Sequence, residues 1–122
     1  MTWIRPERPT GIIRTLPFSE KPTGSMTRDF RFLERTGEGE IWIALPTKPR
    51  LEVLHCYIVV AGQVRVRANI AGYDESGVSL RCWDGTERTA KIWAVLTAPI
   101  SYPPEPIKMR GFRGFRYTGD LW

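Results

Sequence analysis

The pattern of hydrophobic and polar positions is clearest from His55 to Tyr73, which reads HCYIVVAGQVRVRANIAGY. Positions 56–60 are apolar without interruption, and this is typical of a strand that is covered on both faces. The next positions alternate, which predicts a half-buried strand with a basic outer face. Its apolar side holds Val64, Val66, Ala68 and Ile70, and its polar side holds Gln63, Arg65, Arg67 and Asn69. We expect two strands at the centre of a barrel or sandwich, joined by a turn or bulge at Ala61-Gly62.

Shorter strand patterns lie on both sides of this stretch. Glu40–Leu45 is rich in β-branched and aromatic residues and ends at a proline. Val78–Trp83 alternates, and Asp84-Gly85 is a hairpin signal that leads into a partner strand from Thr86 to Val95. Thr2–Ile4 is predicted to form a short edge strand, because prolines follow it.

One segment predicts a helix that ends at Gly37. Ser25 is a candidate N-cap, Phe30 and Leu33 recur at helical spacing, and Gly37 can adopt the left-handed closing conformation. The alternative is a strand in which Phe30 and Phe32 share one face.

Composition narrows the fold class. A chain of 122 residues is long enough for one hydrophobic core, so we expect residues 1–122 to form a single domain. Ten prolines and eleven glycines disfavour long helices and favour short strands joined by tight turns. The expected fold is mostly β (α+β): a small pseudo-barrel of five to six strands with one or two short helices.

The formal net charge of +5 favours anionic partners, of which nucleic acid is the commonest. Cys56 and Cys82 lie in apolar runs and are predicted to be buried, reduced thiols. With His55 as the only histidine and no CxxC motif, we expect no metal site, and no nucleotide-cofactor motif is present. No apolar run approaches the roughly 20 residues of a membrane span. We therefore expect a soluble, cytoplasmic protein without a cofactor or a membrane partner.

Cations and aromatic residues are interleaved most densely near the end of the chain. The cations there are Lys108, Arg110, Arg113 and Arg116, and the aromatic residues are Phe112, Phe115 and Tyr117. The aromatic side chains could anchor this segment to the barrel while the cations are solvated. Alternatively, the cations could neutralise phosphates, and the two interpretations are compatible.

The strand YIVVAGQVRVRANI, the acidic turn after it and the closing run MRGFRGFRY together resemble the PUA-like superfamily, in particular its ASCH and EVE branches. The resemblance covers most of Leu51–Tyr117. It implies a pseudo-barrel that recognises a nucleobase, often a modified or extruded one, in an aromatic pocket flanked by a basic surface on DNA or RNA. The candidate nucleic-acid-binding residues are Arg65, Arg67, Tyr73, Lys108, Arg110, Phe112, Arg113, Arg116 and Tyr117.

Two other functions remain open. Some small ASCH proteins are amidohydrolases that act on acylated cytidine, and the nearest equivalents of their catalytic residues here are Lys21, Thr23 and Glu75. Pro22 interrupts the Lys-Thr pair of that family, so a non-enzymatic role is favoured. The second alternative is a protein-binding inhibitor or accessory protein, of the kind that phages encode, because basic surfaces also attract acidic protein surfaces.

Overall fold

The computed structural model describes residues 8–16, 23–81 and 87–122. These residues form one helix, α1 (Thr23–Thr36), and nine strands. The strands are β1 (Gly11–Thr15), β2 (Ile41–Leu45), β3 (His55–Val60), β4 (Gln63–Asp74), β5 (Ser79–Arg81), β6 (Glu87–Thr89), β7 (Ile92–Ser101), β8 (Ile107–Lys108) and β9 (Phe115–Thr118).

Most strands belong to one sheet, which runs in the order β2-β7-β4-β3-β1-β9 and curls into a half-barrel. Strand β1 is parallel to β3, and the other neighbours along this path are antiparallel. The short β8 pairs with the start of β4, while β5 and β6 form a separate hairpin. The predicted mostly-β pseudo-barrel of five to six strands is therefore confirmed, with two small additions.

Strands β3 and β4 form the predicted central hairpin. Ala61 and Gly62 occupy its turn with φ angles of 51° and 77°, as the two-residue turns preferred by hairpins require. The apolar β3 is covered on both faces, as expected. Cys56, Ile58 and Val60 face an inner cluster that also holds Ile12, Phe30, Leu33 and Leu96, and Tyr57 and Val59 face an outer cluster with Ile13 and Val64.

The alternation predicted for β4 is wrong at Val64. In the sheet, Ile58 lies opposite Val66 but Val59 lies opposite Val64, so Arg65 is an extra residue in a β-bulge. The bulge turns Val64 toward the outer cluster, while Val66 remains in the inner one. Arg65 itself is exposed, and its Nε donates a hydrogen bond to the Val60 carbonyl oxygen at 3.3 Å.

Helix α1 fills the concave side of the sheet and contacts β7. Phe30 and Leu33 are each only 2% exposed, which confirms the helical interpretation over the strand alternative. The amide of Gly37, with φ of 69°, donates to the Leu33 carbonyl oxygen at 2.8 Å and ends the helix as predicted. Ser25 lies inside α1 and is not its N-cap, because the helix begins at Thr23.

The segments that follow β7 cover the convex side of the sheet. Ile107, Met109 and Phe112 pack against the outer cluster, and so do Leu121 and Trp122. The chain after β7 thus covers this face of the sheet, and it carries six of the nine predicted binding residues: Lys108, Arg110, Phe112, Arg113, Arg116 and Tyr117.

The predicted strand of residues 40–45 is confirmed as β2, and β5 pairs with β6 as the hairpin pattern indicated. The return strand predicted for residues 86–95 is divided, because β6 ends at Thr89 and β7 begins at Ile92. Residues 2–4, Cys82 and Asp84-Gly85 lie outside the described residues.

Candidate anion-binding cleft and basic ridge

The segment from Ile107 to Arg113 separates apolar from charged side chains. Strand β8 pairs with the start of β4, and the Met109 amide donates to the Gly62 carbonyl oxygen at 2.9 Å. The apolar residues of this segment pack on the outer cluster while Lys108, Arg110 and Arg113 are exposed. We call these three cations the basic ridge. At ~3.3–3.6 Å per residue, successive ridge positions are at most about 7 and 11 Å apart along the backbone.

Phe112 fixes the end of the ridge to β1. Its amide donates a hydrogen bond to Thr15 Oγ1 at 3.2 Å. A side chain at the preceding Gly111 would place its Cβ only 3.0 Å from Thr15 Cγ2, so glycine permits this close approach. On the neighbouring strand β9, the guanidinium of Arg116 lies 4.2 Å from the centroid of the Phe112 ring, a cation–π contact.

Beside this anchor lies an open cleft with a volume of about 510 Å³. Its walls come from the ends of β1 and β2, the end of β6 with the segment that follows it, and the loop before β9. Four of the described residues that line it are the cations Arg14, Arg88, Lys91 and Arg113, and none of the described lining residues is acidic. We call this space the cationic cleft, and a lining rich in cations favours anionic ligands.

Arg14 is the most buried of the four cations, at 9% exposure. It follows the alternation of Ile12 and therefore points to the concave side of the sheet. Its Nε donates to the Ala44 carbonyl oxygen at 3.1 Å, and its Nη1 donates to the Thr15 carbonyl oxygen. An arginine side chain stays protonated at all ordinary pH values, so these bonds hold a permanent positive charge in a fixed orientation.

Five of the predicted binding residues lie on the ridge or beside the cleft. Phe112 and Arg113 line the cleft, and Arg116 stacks on Phe112. Lys108 and Arg110 belong to the ridge. The remaining four, Arg65, Arg67, Tyr73 and Tyr117, are not among the residues that line the cleft.

Arg67 instead contacts the segment after β9. Its Nη1 donates to the backbone oxygen of Trp122 at 2.6 Å, and its guanidinium lies 5.4 Å from the centroid of the Trp122 indole ring. The Trp122 ring also meets Tyr57 edge to face at 5.1 Å. Burial and the positive charge of Arg67 lower the pKa of nearby His55. Arg67, on the predicted basic outer face of β4, is therefore engaged by Trp122.

The two predicted tyrosines belong to the inner side of the half-barrel. The Tyr117 hydroxyl accepts hydrogen bonds from the amides of Arg50 and Leu51 at 2.8 and 3.2 Å. Tyr73 is half-buried, and its burial raises its pKa to about 12. The ammonium of Lys48 lies 5.8 Å from the Tyr73 ring centroid. Both rings pack against the inner cluster, on the face opposite to the outer cluster.

The geometry of the amidohydrolase alternative stays untested. Lys21 lies outside the described residues, and Thr23 is the first residue of α1. Glu75 is exposed and pairs with Lys48 at 3.4 Å. In the part of the chain that the structure describes, no group of three or more His, Cys, Asp or Glu residues could hold a metal ion.

Sequence reasoning missed three of the four cleft cations. Arg14 interrupts the apolar run GIIRTL at a position that alternates with Ile12, and a charge on the buried side of a strand is a usable signal. Arg88 and Lys91 follow the predicted hairpin turn, but their sequence gives no sign that they approach Arg113.

No protein-family model matches this chain, and neither a curated protein nor a solved structure matches it. The resemblance to the PUA-like superfamily therefore stays a prediction. Among the described residues, no helix has both the length and the apolar character needed to cross a membrane.

Proposed function

We propose that this domain binds single-stranded nucleic acid, with the phosphates held by the basic ridge and the cationic cleft. The observation that supports the proposal most directly is the cleft itself, whose described lining holds four cations, including the exposed Lys91 and Arg113, and no acidic residue. A cleft of 510 Å³ has the size of a cube about 8 Å on a side, whereas the major groove alone of a duplex is ~12 Å wide. A space of this size suits the backbone of a single strand better than a whole duplex.

The ridge provides a path into the cleft. Arg113 belongs to both, and Lys108 and Arg110 precede it on the exposed side of the same segment. Their spacing of several ångströms per step suits successive phosphates of an extended strand. Because the apolar residues between them are anchored on the outer cluster, the three cations are displayed without a flexible backbone.

A base beside the bound phosphates has one stacking surface. Among the described residues that line the cleft, Phe112 is the one aromatic side chain, and the exposed Arg116 lies over one face of its ring. Guanidinium planes stack on bases as aromatic rings do, so we propose that a base stacks on the Arg116–Phe112 pair. Preference for a modified base is the finer part of this proposal, and it requires a direct comparison of modified and unmodified strands.

The proposal predicts a marked salt dependence. If about five cations neutralise phosphates, the slope of log K against log salt should be about −3.5 for a single strand. Affinity should then fall by about two orders of magnitude between 50 and 200 mM salt. We would measure binding of fluorescent 12-nucleotide DNA and RNA strands by anisotropy across this range, with unmodified and modified cytosines.

Two double variants with the same change in net charge distinguish the effect of the cleft from the effect of net charge. Lys91→Ala with Arg113→Ala removes two cations of the cleft, whereas Arg31→Ala with Arg50→Ala removes two exposed cations that lie outside it. The first variant should weaken binding and reduce the slope by about 1.4, while the control stays close to wild type. An equal effect of both variants would show that only net charge matters and would refute the site.

A further inference from the structure

Strand β4 contains one residue more than its pairing with β3 uses. Val64 lies opposite Val59 and Val66 lies opposite Ile58, so Arg65 is the extra residue of the β-bulge. A bulge leaves its extra residue outside the regular pairing and changes the direction of the side chain. Arg65 is accordingly exposed, although it belongs to the central hairpin.

The guanidinium group of Arg65 is held at the end of β3. Its Nε donates to the Val60 carbonyl oxygen at 3.3 Å, directly before the Ala61-Gly62 turn. This bond uses one of the five N–H donors of the group, and the planar arrangement of the others suits phosphate oxygens. Arg65 therefore presents a positive charge beside the turn.

The basic ridge reaches the same turn. Lys108 lies opposite Gln63, and the Met109 amide donates to the Gly62 carbonyl oxygen at 2.9 Å. Neighbouring strands are ~4.8 Å apart and two residues of a strand span at most ~7 Å, so the Cα atoms of Arg65 and Lys108 lie within about 9 Å of each other. This step is comparable in size to the two steps within the ridge.

The charges of Arg65 and the ridge are not neutralised by described acidic side chains. Among the described residues, neither Arg65 nor any of the three ridge cations forms an ion pair. Glu105, the nearest acidic residue along the segment that carries the ridge, is exposed and pairs with none of them. Each of these cations can therefore neutralise a phosphate, and this releases the counterions that the phosphate had condensed.

From this geometry we infer that the phosphate path of the basic ridge continues across the β3–β4 turn to Arg65. This inference rests on the proposed function and specifies its ligand as a strand long enough to reach from Arg113 to Arg65. The backbone from Arg113 to Lys108 spans at most ~18 Å, so the whole path is at most about 27 Å long. At the ~3.4 Å rise of a stacked strand, this length corresponds to about eight nucleotides.

The experiment measures the affinity of DNA strands of 4 and 12 nucleotides for the wild type and for Arg65→Gln, which removes the charge and keeps a hydrogen-bond donor. The shorter strand has three phosphates, which the ridge alone can hold, whereas the longer strand covers the whole path. Arg65→Gln should weaken the 12-nucleotide complex about fivefold at 0.1 M salt and reduce its salt slope by about 0.7, since this is the contribution of one phosphate of a single strand. Affinity for the 4-nucleotide strand, followed by NMR titration, should stay within about twofold of wild type, and this result would also show that the variant is folded.

Two further variants are the controls. Arg65→Lys keeps the charge and should keep most of the affinity for the 12-nucleotide strand. Arg50→Gln removes an exposed charge that precedes β3, at the end of that strand away from the turn, and should bind both strands as wild type does. Equal affinities of Arg65→Gln and Arg50→Gln for the 12-nucleotide strand would refute the inference and leave the proposed function standing. Absence of binding of either strand to the wild type would refute the proposed function and the inference with it.

Discussion

Replacing Trp122 with alanine should destabilise the fold, and Trp122 is not among the residues that line the cleft. Trp122 lies across the convex face of the sheet and contacts three strands. Its ring meets Tyr57 of β3 edge to face and lies beneath Arg67 of β4, and its Nε1 donates to Ser101 Oγ of β7 at 2.7 Å. The segment after β9 is therefore fastened to the centre of the sheet through one side chain.

The size of the effect follows from these contacts. An aromatic pair contributes about 0.5–1.5 kcal/mol, a hydrogen bond about 1 kcal/mol, and a cation–π contact about 0.5–1 kcal/mol. Trp122→Ala should thus lower the free energy of unfolding by about 2–3 kcal/mol. In a chain of 122 residues this corresponds to a fall in Tm of about 10 °C.

Urea denaturation followed by far-UV circular dichroism would measure this loss without relying on tryptophan fluorescence. Ser101→Ala removes only the acceptor of the Trp122 hydrogen bond and should lower the free energy of unfolding by about 1 kcal/mol. A double-mutant cycle of Arg67→Met with Trp122→Ala should give a coupling of about 0.5–1 kcal/mol. A loss below about 0.5 kcal/mol for Trp122→Ala would show that these contacts do not hold the sheet.

Two further predictions concern the packing of β1 and β3. Gly11→Ala should lower the free energy of unfolding by about 1–3 kcal/mol, because its Cβ would lie 2.9 Å from the His55 carbonyl oxygen and 3.1 Å from the Tyr57 ring. Gly72→Ala is the control, since no atom lies within 4 Å of its Cβ. Equal denaturation midpoints of the two variants would contradict the argument. Cys56 should resist alkylation at pH 8 in the native protein, because burial raises the pKa of its thiol to about 12. Peptide mapping would measure the rate of modification, and a rate as fast as that in urea would exclude such burial.

The central hairpin was predictable because its signals are local. The apolar run of β3 and the Ala61-Gly62 turn are both short-range features, and each is present in the structure. The β-bulge at Arg65 was not predictable, since the alternation in the sequence continues through it. Only the pairing of β4 with β3 shows that Val64 and Val66 lie on opposite faces.

The residues of the candidate site likewise divide into those that a local pattern predicts and those that long-range pairing brings in. Arg113 and Phe112 were predicted because cations alternate with apolar residues within one segment. Arg14 reaches them only because β9 returns beside β1, a pairing between residues about a hundred positions apart. Arg67 was predicted to be available because it lies on the polar side of an alternating strand, but Trp122 covers it from 55 positions away. Long-range packing thus decides which of the cations line the cleft.

The alternation of the ridge segment also determines which substitutions can test binding separately from folding. Phe112 packs against the outer cluster, carries Arg116 on its ring and lines the cleft, so its loss would change stability and binding together. Arg113 is exposed and lines the cleft. Removing that charge should therefore leave the free energy of unfolding within about 0.5 kcal/mol of wild type, because surface substitutions rarely change it more. A loss of affinity in Arg113 variants can then be attributed to the site, whereas the same loss in Phe112 variants cannot.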